Sequence, residues 1–130
     1  MLDSRPVSAQ AEGIAETARA QIGRAYRAGG RTEQGFDCSG LVQYCYARHG
    51  LAIPRTAAKQ AEYGIKVCEL RAGDILVFAP GLFSLHTGIY VGNGLFVHAP
   101  GKGRSVEICR LDARHWQKIF VGARRFPPNS

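Results

Sequence analysis

From Ser8 to about Ile22, the apolar residues Ala11, Ile14, Ala15, Ala18 and Ile22 recur at three- and four-residue intervals, the spacing of one helical face. Ser8 stands where an N-cap belongs, and Gly23 where the helix should stop. Residues 23–35 carry Gly23, Gly29, Gly30 and Gly35 with few strong helix formers between them, and read as loop. A second helix is predicted from Cys38 to His49, closed by Gly50. Its Leu41, Val42, Tyr44, Cys45, Tyr46 and Ala47 take up most of the circumference, which predicts a central position. Thr56 can cap a short third helix, AAKQAEY, ending at Gly64.

Beyond Gly64 the pattern changes. DILVFA (74–79), HTGIYV (86–91), LFVHA (95–99), SVEIC (105–109) and KIFVGARRF (118–126) are short, rich in Val, Ile and Phe, and separated by turn residues. Helices followed by a meander of strands make an α+β domain, with N-terminal helices packed on a C-terminal antiparallel sheet. No alternating βαβ order is present, which disfavours a dinucleotide-binding sheet. Arg124 and Arg125 read as an exposed strand edge.

The chain has 130 residues and 14.1 kDa, and 45% of it is apolar. That fits one domain, 1–130, with loose ends at 1–7 and 127–130. No apolar run approaches the ~20 residues of a membrane span. The opening MLDSRPVSAQ is polar, so the chain shows no export leader. The net charge is +7, and most of the excess follows residue 80, where seven basic side chains face only Glu107 and Asp112. Such a surface attracts polyanions. With no long Lys/Arg cluster and no finger spacing, specific nucleic-acid recognition is not expected.

Cys38, Cys45, Cys68 and Cys109 are too few for a disulfide scaffold at this length. Their spacing also argues against structural zinc. No Cys-x-x-Cys occurs, and Cys38 and Cys45, seven apart on one helix, have backbones ~10 Å apart. Cys45 and His49 could pair at i, i+4, but two ligands do not make a site. No metal and no cofactor are expected.

The informative segment is Gly35-Phe-Asp-Cys-Ser-Gly-Leu-Val42. Asp37 falls at a helix N-cap and Cys38 at the first helical residue, where unpaired N–H groups and the helix dipole favour a thiolate. Gly40, a poor helix former, leaves room for another group to approach the thiol. Taken alone, a cysteine here is as readily a buried structural residue with an ordinary Asp cap. A nucleophile would need a base and a group to orient it. His86 and His98 flank the Gly92-Asn93-Gly94 turn. A two-residue turn puts them on opposite faces of the sheet. A three-residue loop, Gly92 to Gly94, pairs Val91 with Leu95 and Gly88 with His98, and puts both imidazoles on one face within hydrogen-bonding reach. The longer turn is the expectation, with Gly88 leaving open space opposite His98. His49, in the last helical turn, reads as structural and His115 as surface.

These residues resemble the NlpC/P60 family of cysteine peptidases over about Ile22 to Val121. The likeness rests on Gly23-Arg-Ala-Tyr26, FDCSGLVQY (36–44), Pro54-Arg55-Thr56 with Gln60, Arg71-Ala-Gly-Asp74, HTGIYVG (86–92) and His98-Ala99. The resemblance implies a papain-like α+β fold, with Cys38 as nucleophile, His86 as general base and His98 orienting His86. It implies Tyr26 beside the oxyanion, and Asp37 and Ser39 lining the substrate groove. The implied substrate is the peptidoglycan stem peptide, cut between γ-D-glutamate and a diamino acid through a thioester, by a monomer in the cell envelope. Related folds also include amidases and acyltransferases, and a catalytically silent wall-binding module is a further alternative.

Overall fold

In the computed structural model, which describes residues 5–126, the first apolar spacing becomes α1 (Arg5–Ala20), with Ile14, Ala15 and Ala18 buried. The helix starts ahead of Ser8, which therefore lies inside it rather than capping it. Residues 5–7 belong to α1 and are not a loose end; 1–4 and 127–130 lie outside the described residues. The helix also stops before Ile22. Gln21 and Ile22 donate to the carbonyls of Ala18 and Arg19, three residues back, and this tighter winding turns Ile22 outward to 43% exposure.

The glycine-rich stretch is not all loop, because β1 (Arg31–Thr32) and β2 (Gly35–Phe36) pair as a small antiparallel ribbon. Next come α2 (Cys38–Ala47) and α3 (Ala57–Tyr63). Asp37 caps α2 as expected, its Oδ1 accepting from the Gly40 N–H at 2.7 Å. Thr56 caps α3 in the same way through the Lys59 N–H at 3.3 Å. α2 ends at Ala47, so His49 sits past its last turn. There its Nε2 meets the Thr17 hydroxyl at 2.8 Å and its ring lies against Gly13, tying α2 to α1. Leu41, Val42, Cys45 and Tyr46 are buried on α2, whereas Tyr44 is half-buried and Ala47 exposed, so the helix is less enclosed than its composition suggests.

The main sheet contains β3 (Ile65–Val67), β4 (Ile75–Phe78), β5 (His86–Gly92), β6 (Leu95–His98), β7 (Glu107–Arg110) and β8 (Phe120–Arg125), in the antiparallel order β3-β8-β4-β5-β6-β7. Two features depart from the sequence reading. The exposed edge strand β3 was not anticipated, and a short helix, α4 (Arg114–Ile119), replaces the start of the last predicted strand. Trp116 and Ile119, three apart, both pack against the sheet, so a helical turn buries them where a strand would separate them. β8 is also interior, not an edge. Arg124 is buried and donates to the Ala61 carbonyl at 2.7 Å, and Arg125 forks onto both carboxylate oxygens of buried Asp74 at 2.8 Å.

Alternation along the strands makes two cores. Ile75, Val77, Ile89, Val91 and Val97 face α1 and α2. Leu76, Phe78, Phe96 and Ala123 face the opposite way, towards Trp116 and Ile119. β4 is accordingly buried along its whole length.

The β5–β6 connection combines both turn readings. Asn93 and Gly94 take positive φ (55° and 77°), as a type I′ turn requires, and Gly92 pairs with Leu95. The expected Val91–Leu95 pair is therefore not made. A bulge between Tyr90 and Gly92 then shifts the ladder to Tyr90–Phe96 and Ile89–Val97, the register of the longer loop. Gly88 does not leave open space. A Cβ there would lie 2.9 Å from the Val97 carbonyl oxygen and 3.1 Å from the His98 Cβ, so its bareness admits His98.

Gly40 also serves close packing. A Cβ there would collide with the Gly30 carbonyl oxygen, which approaches the first turn of α2 and accepts from the Asp37 N–H at 3.0 Å. Gly40→Ala should therefore lose about 1–3 kcal/mol of stability. Urea unfolding tests this: the midpoint falls with an unchanged slope, and an unchanged midpoint would contradict the packing.

Candidate active site

Cys38 opens α2, and the start of α2 packs on β5. Burial raises the Cys38 thiol above its ordinary range and the Asp37 carboxylate adds to this; the Thr87 and Ser39 backbone and the Thr87 hydroxyl, near the sulfur, offset only part of the rise. The expected helix-start thiolate is thus a neutral thiol. The residue that caps the helix places a negative charge beside the sulfur, and β5 covers it. Among the described residues no hydrogen bond joins Cys38 to His86. Thr87 faces α2, and His86, the first residue of β5, turns to the other face against Phe78 and Trp116. The thiol, on the Thr87 side, and the imidazole, on the other face, thus belong to the first two residues of β5 and what packs on them.

The two histidines are joined. His86 Nε2 and His98 Nδ1 are 2.8 Å apart with their rings nearly perpendicular. A third group, Glu107, continues the chain, with its Oε2 2.9 Å from His98 Nε2. Burial tends to raise the Glu107 carboxyl, but hydrogen bonds from Cys109 and His98 and the Arg104 charge bring it below its ordinary range, so it is ionised. An ionised carboxylate only accepts, so the His98 Nε2 carries the proton. Burial lowers the His98 pKa against the opposing pull of Glu107, so the ring is neutral and its Nδ1 accepts from the His86 Nε2–H. This leaves a lone pair on His86 Nδ1. Burial first, and the neighbouring His98 second, lower the His86 pKa to about 3.

The remaining predicted residues cluster at the α2 start. Both Asp37 oxygens take the Arg55 guanidinium, at 3.1 and 2.9 Å, and Arg55 also reaches Ser39 Oγ at 3.0 Å and the Gly30 carbonyl at 3.4 Å. Tyr26 is half-buried, and burial together with Asp37 and Cys38 raises its phenol pKa. Gln60 is fully buried. Its amide nitrogen donates to the Ser39 and Pro54 carbonyls at 3.0 and 2.9 Å, and its oxygen accepts from the Thr87 hydroxyl at 3.1 Å.

Sequence reasoning missed Glu107, Trp116 and the function of Arg55. Glu107 is the direct cross-strand partner of His98, a pairing that depends on the register across the intervening loop. Trp116 packs edge-on to His98 at 4.8 Å between centroids and stacks on His86 at 6.1 Å. A cleft of about 420 Å³ opens beside this group, walled by His86, His98, Arg104, Glu107, His115 and Trp116 among others; Cys38 is not part of its wall. His115 is exposed, as expected, yet borders this cleft. All four cysteines are free.

A small α+β domain with a cysteine at a helix start and a paired histidine on the adjacent sheet defines a recognisable class. The NlpC/P60 family model matches residues 23–125, and the chain belongs to that family. It is 42% identical over 113 residues to the murein DD-endopeptidase MepH of Escherichia coli, covering 81% of this chain and 42% of that protein. It is 38% identical over 131 residues to the gamma-D-glutamyl-L-lysine dipeptidyl-peptidase of Bacillus subtilis, covering 95% and 44%. The crystal structure of an NlpC/P60 family protein from Bacillus cereus superposes with a TM-score of 0.84 at 36% identity, over 91% of this chain and 40% of that one. The chain thus spans less than half the length of these relatives.

Two outcomes follow from the site's polar groups. Gln60→Leu strands two carbonyls and a hydroxyl, and should lower stability by about 2 kcal/mol or more in denaturant unfolding; a neutral effect would mean the amide carries no strain-free role in docking α2 on β5. His86 faces His98 from β6, Phe78 from β4 and Trp116 from α4. Its pKa is about 3 folded against 6.5 for the free group, so the unfolded chain binds more protons between those values. Stability should be complete above pH 6.5 and fall as the pH drops towards 3. The urea midpoint of His86→Phe should fall less steeply over this window than that of the native chain; equal slopes would assign the acid sensitivity elsewhere.

Proposed function

We propose that the chain is a cysteine endopeptidase acting on peptidoglycan stem peptides in the cell envelope, at the γ-D-glutamyl–diamino acid bond. The observation that carries this reading is the chain Glu107–His98–His86, which leaves an unprotonated Nδ1 on the first residue of β5, the strand that α2 packs on. The names of the relatives, a murein endopeptidase and a gamma-D-glutamyl dipeptidyl-peptidase, support the substrate class.

The roles follow from the proton inventory. The resting thiol and imidazole are both neutral, so His86 acts as general base while the sulfur attacks, rather than by storing an ion pair. The Cys38 thiol donates to His86 Nδ1 as substrate enters; such contacts tighten in the substrate complex. The sulfur adds to the amide carbonyl, and the oxyanion rests on the Cys38 N–H and the Tyr26 hydroxyl. The imidazolium formed at His86 is stabilised through His98 by Glu107, and then protonates the leaving amine. Water, deprotonated by His86, hydrolyses the thioester. Asp37 and Ser39 line the groove, with Asp37 shared between Arg55 and a substrate amine.

Cys38→Ala should abolish release of fragments from purified peptidoglycan, and normal release would reject the reading. His86→Ala should lower the rate about 10²–10⁴-fold, in the range of general acid–base catalysis. His98→Ala should cost less and Glu107→Ala less again; the reverse order would mean that His98 carries the proton transfer. Mass spectrometry of the products should find new amino termini within the stem peptide, whereas intact released stems would indicate an amidase.

A further inference from the structure

We propose that His98, Glu107 and Cys109 form a Zn²⁺-binding site, and that a zinc ion bound there switches off the thiol site.

The site is built by sheet geometry. Glu107 and Cys109 are two apart on β7 and so share a face, and His98 lies directly across from Glu107 on β6. Their donor atoms form a close triangle. His98 Nε2 is 2.9 Å from Glu107 Oε2 and 3.5 Å from Cys109 Sγ, and Cys109 Sγ is 3.2 Å from Glu107 Oε2. Ligands on tetrahedral zinc, at bond lengths of 2.0–2.3 Å, stand about 3.3–3.6 Å apart. The three separations thus lie within about half an ångström of those in a tetrahedral zinc site. One nitrogen, one oxygen and one sulfur suit zinc, and three protein ligands leave the fourth position to water. Glu107 Oε1 is held by Arg104 Nη2 at 2.9 Å, which fixes Oε2 towards the other two donors. Glu107 and His98 wall the open cleft, and β7 is the sheet's edge strand, so the ion has a way in. Sequence spacing alone could not find this set, because no two of its members form a standard metal motif.

The consequence for the thiol site rests on the proposed peptidase function; the binding does not. On metallation the Cys109 thiol proton and the His98 Nε2 proton leave for solvent, and S–Zn, N–Zn and O–Zn bonds form. His98, now bound through Nε2, holds its proton on Nδ1, taken from the His86 Nε2. His86 then takes up one proton from solvent at Nδ1, the atom that must accept from Cys38, so metallation releases one proton net. The base is thereby blocked without the metal touching the sulfur.

The experiment uses the Cys38→Ala full chain, which removes the other thiol able to trap metal near the histidines. Titrated with Co²⁺ as a spectroscopic stand-in for zinc, it should take up one equivalent and develop a thiolate-to-cobalt charge-transfer band in the near ultraviolet. The band should vanish in Cys38→Ala/Cys109→Ser, and weaken in Cys38→Ala/Glu107→Gln, which keeps the thiol; circular dichroism checks that both remain folded. A band that survives Cys109→Ser, or no band at all, overturns the site. On peptidoglycan, with each protein compared with its own metal-free rate, Cys109→Ser should need at least tenfold more Zn²⁺ than the native chain for half inhibition. Equal sensitivity would place the inhibition at Cys38 and overturn the switch. A native chain with no activity would sink the peptidase reading while the cobalt titration still decides the site.

Discussion

The sulfur and the imidazole pair lie on different elements, and one buried amide fixes those elements to each other. Gln60, on α3, grips the Ser39 carbonyl in the first turn of α2, the Pro54 carbonyl in the preceding loop, and the Thr87 hydroxyl next to His86. An amide suits this place because it offers two N–H donors and an acceptor on one rigid plane. In a fully buried position each unmet group would carry its full desolvation penalty, so the three bonds hold or fail together. Arg55 reinforces the same corner from outside by spanning Asp37, Ser39 and Gly30. The start of α2 is thus held at its side chains, its backbone and its cap, and cannot slide along β5 without breaking all three.

That corner explains the unusual charge state of the site. Asp37 is needed for the helix cap, and Arg55 is needed to hold Asp37, so the helix start does not present free positive potential to the sulfur. Cover from β5 is the larger cause, and the thiol stays protonated. On the other face the aromatic cluster of Phe78, Phe96 and Trp116 dries the histidines and keeps them neutral. Charge enters this group at Glu107, two hydrogen bonds from His86 Nδ1, and at Arg104 behind it. A distant carboxylate sets the proton order along the chain of rings without forcing an ion pair at the sulfur.

What the sequence disclosed was what local chemistry decides. Asp37 and Thr56 cap helices whose starts they marked, and the α+β order of elements was readable from the change in periodicity at Gly64. The histidine pairing was legible too, because inward of the turn the ladder keeps the register on which it depends, although a bulge rather than a longer loop produces it. Long-range partners were hidden. Glu107 opposite His98 and Arg125 on Asp74 depend on strand neighbours far apart in the chain. α4 was misread because Lys118-Ile-Phe-Val121 has strand composition, and only the contact of Trp116 and Ile119 with the second core favours a helical turn. The thiolate expectation failed for a related reason, since helix position is local but burial is not.

Glu107 links the two halves of the functional reading. Its Oε1 is committed to Arg104, so a single oxygen, Oε2, faces both His98 and Cys109. A carboxylate oxygen accepting from a ring N–H keeps that nitrogen protonated, whereas the same oxygen on a metal requires the nitrogen to be bare. The two arrangements exclude each other at one atom pair, and the His86–His98 hydrogen bond passes the difference to His86 Nδ1 with no movement of the backbone. In the first arrangement the Cys109 thiol donates to Glu107 and helps to keep that carboxylate ionised. In the second the same side chain becomes a ligand, so Cys109 has a place in both.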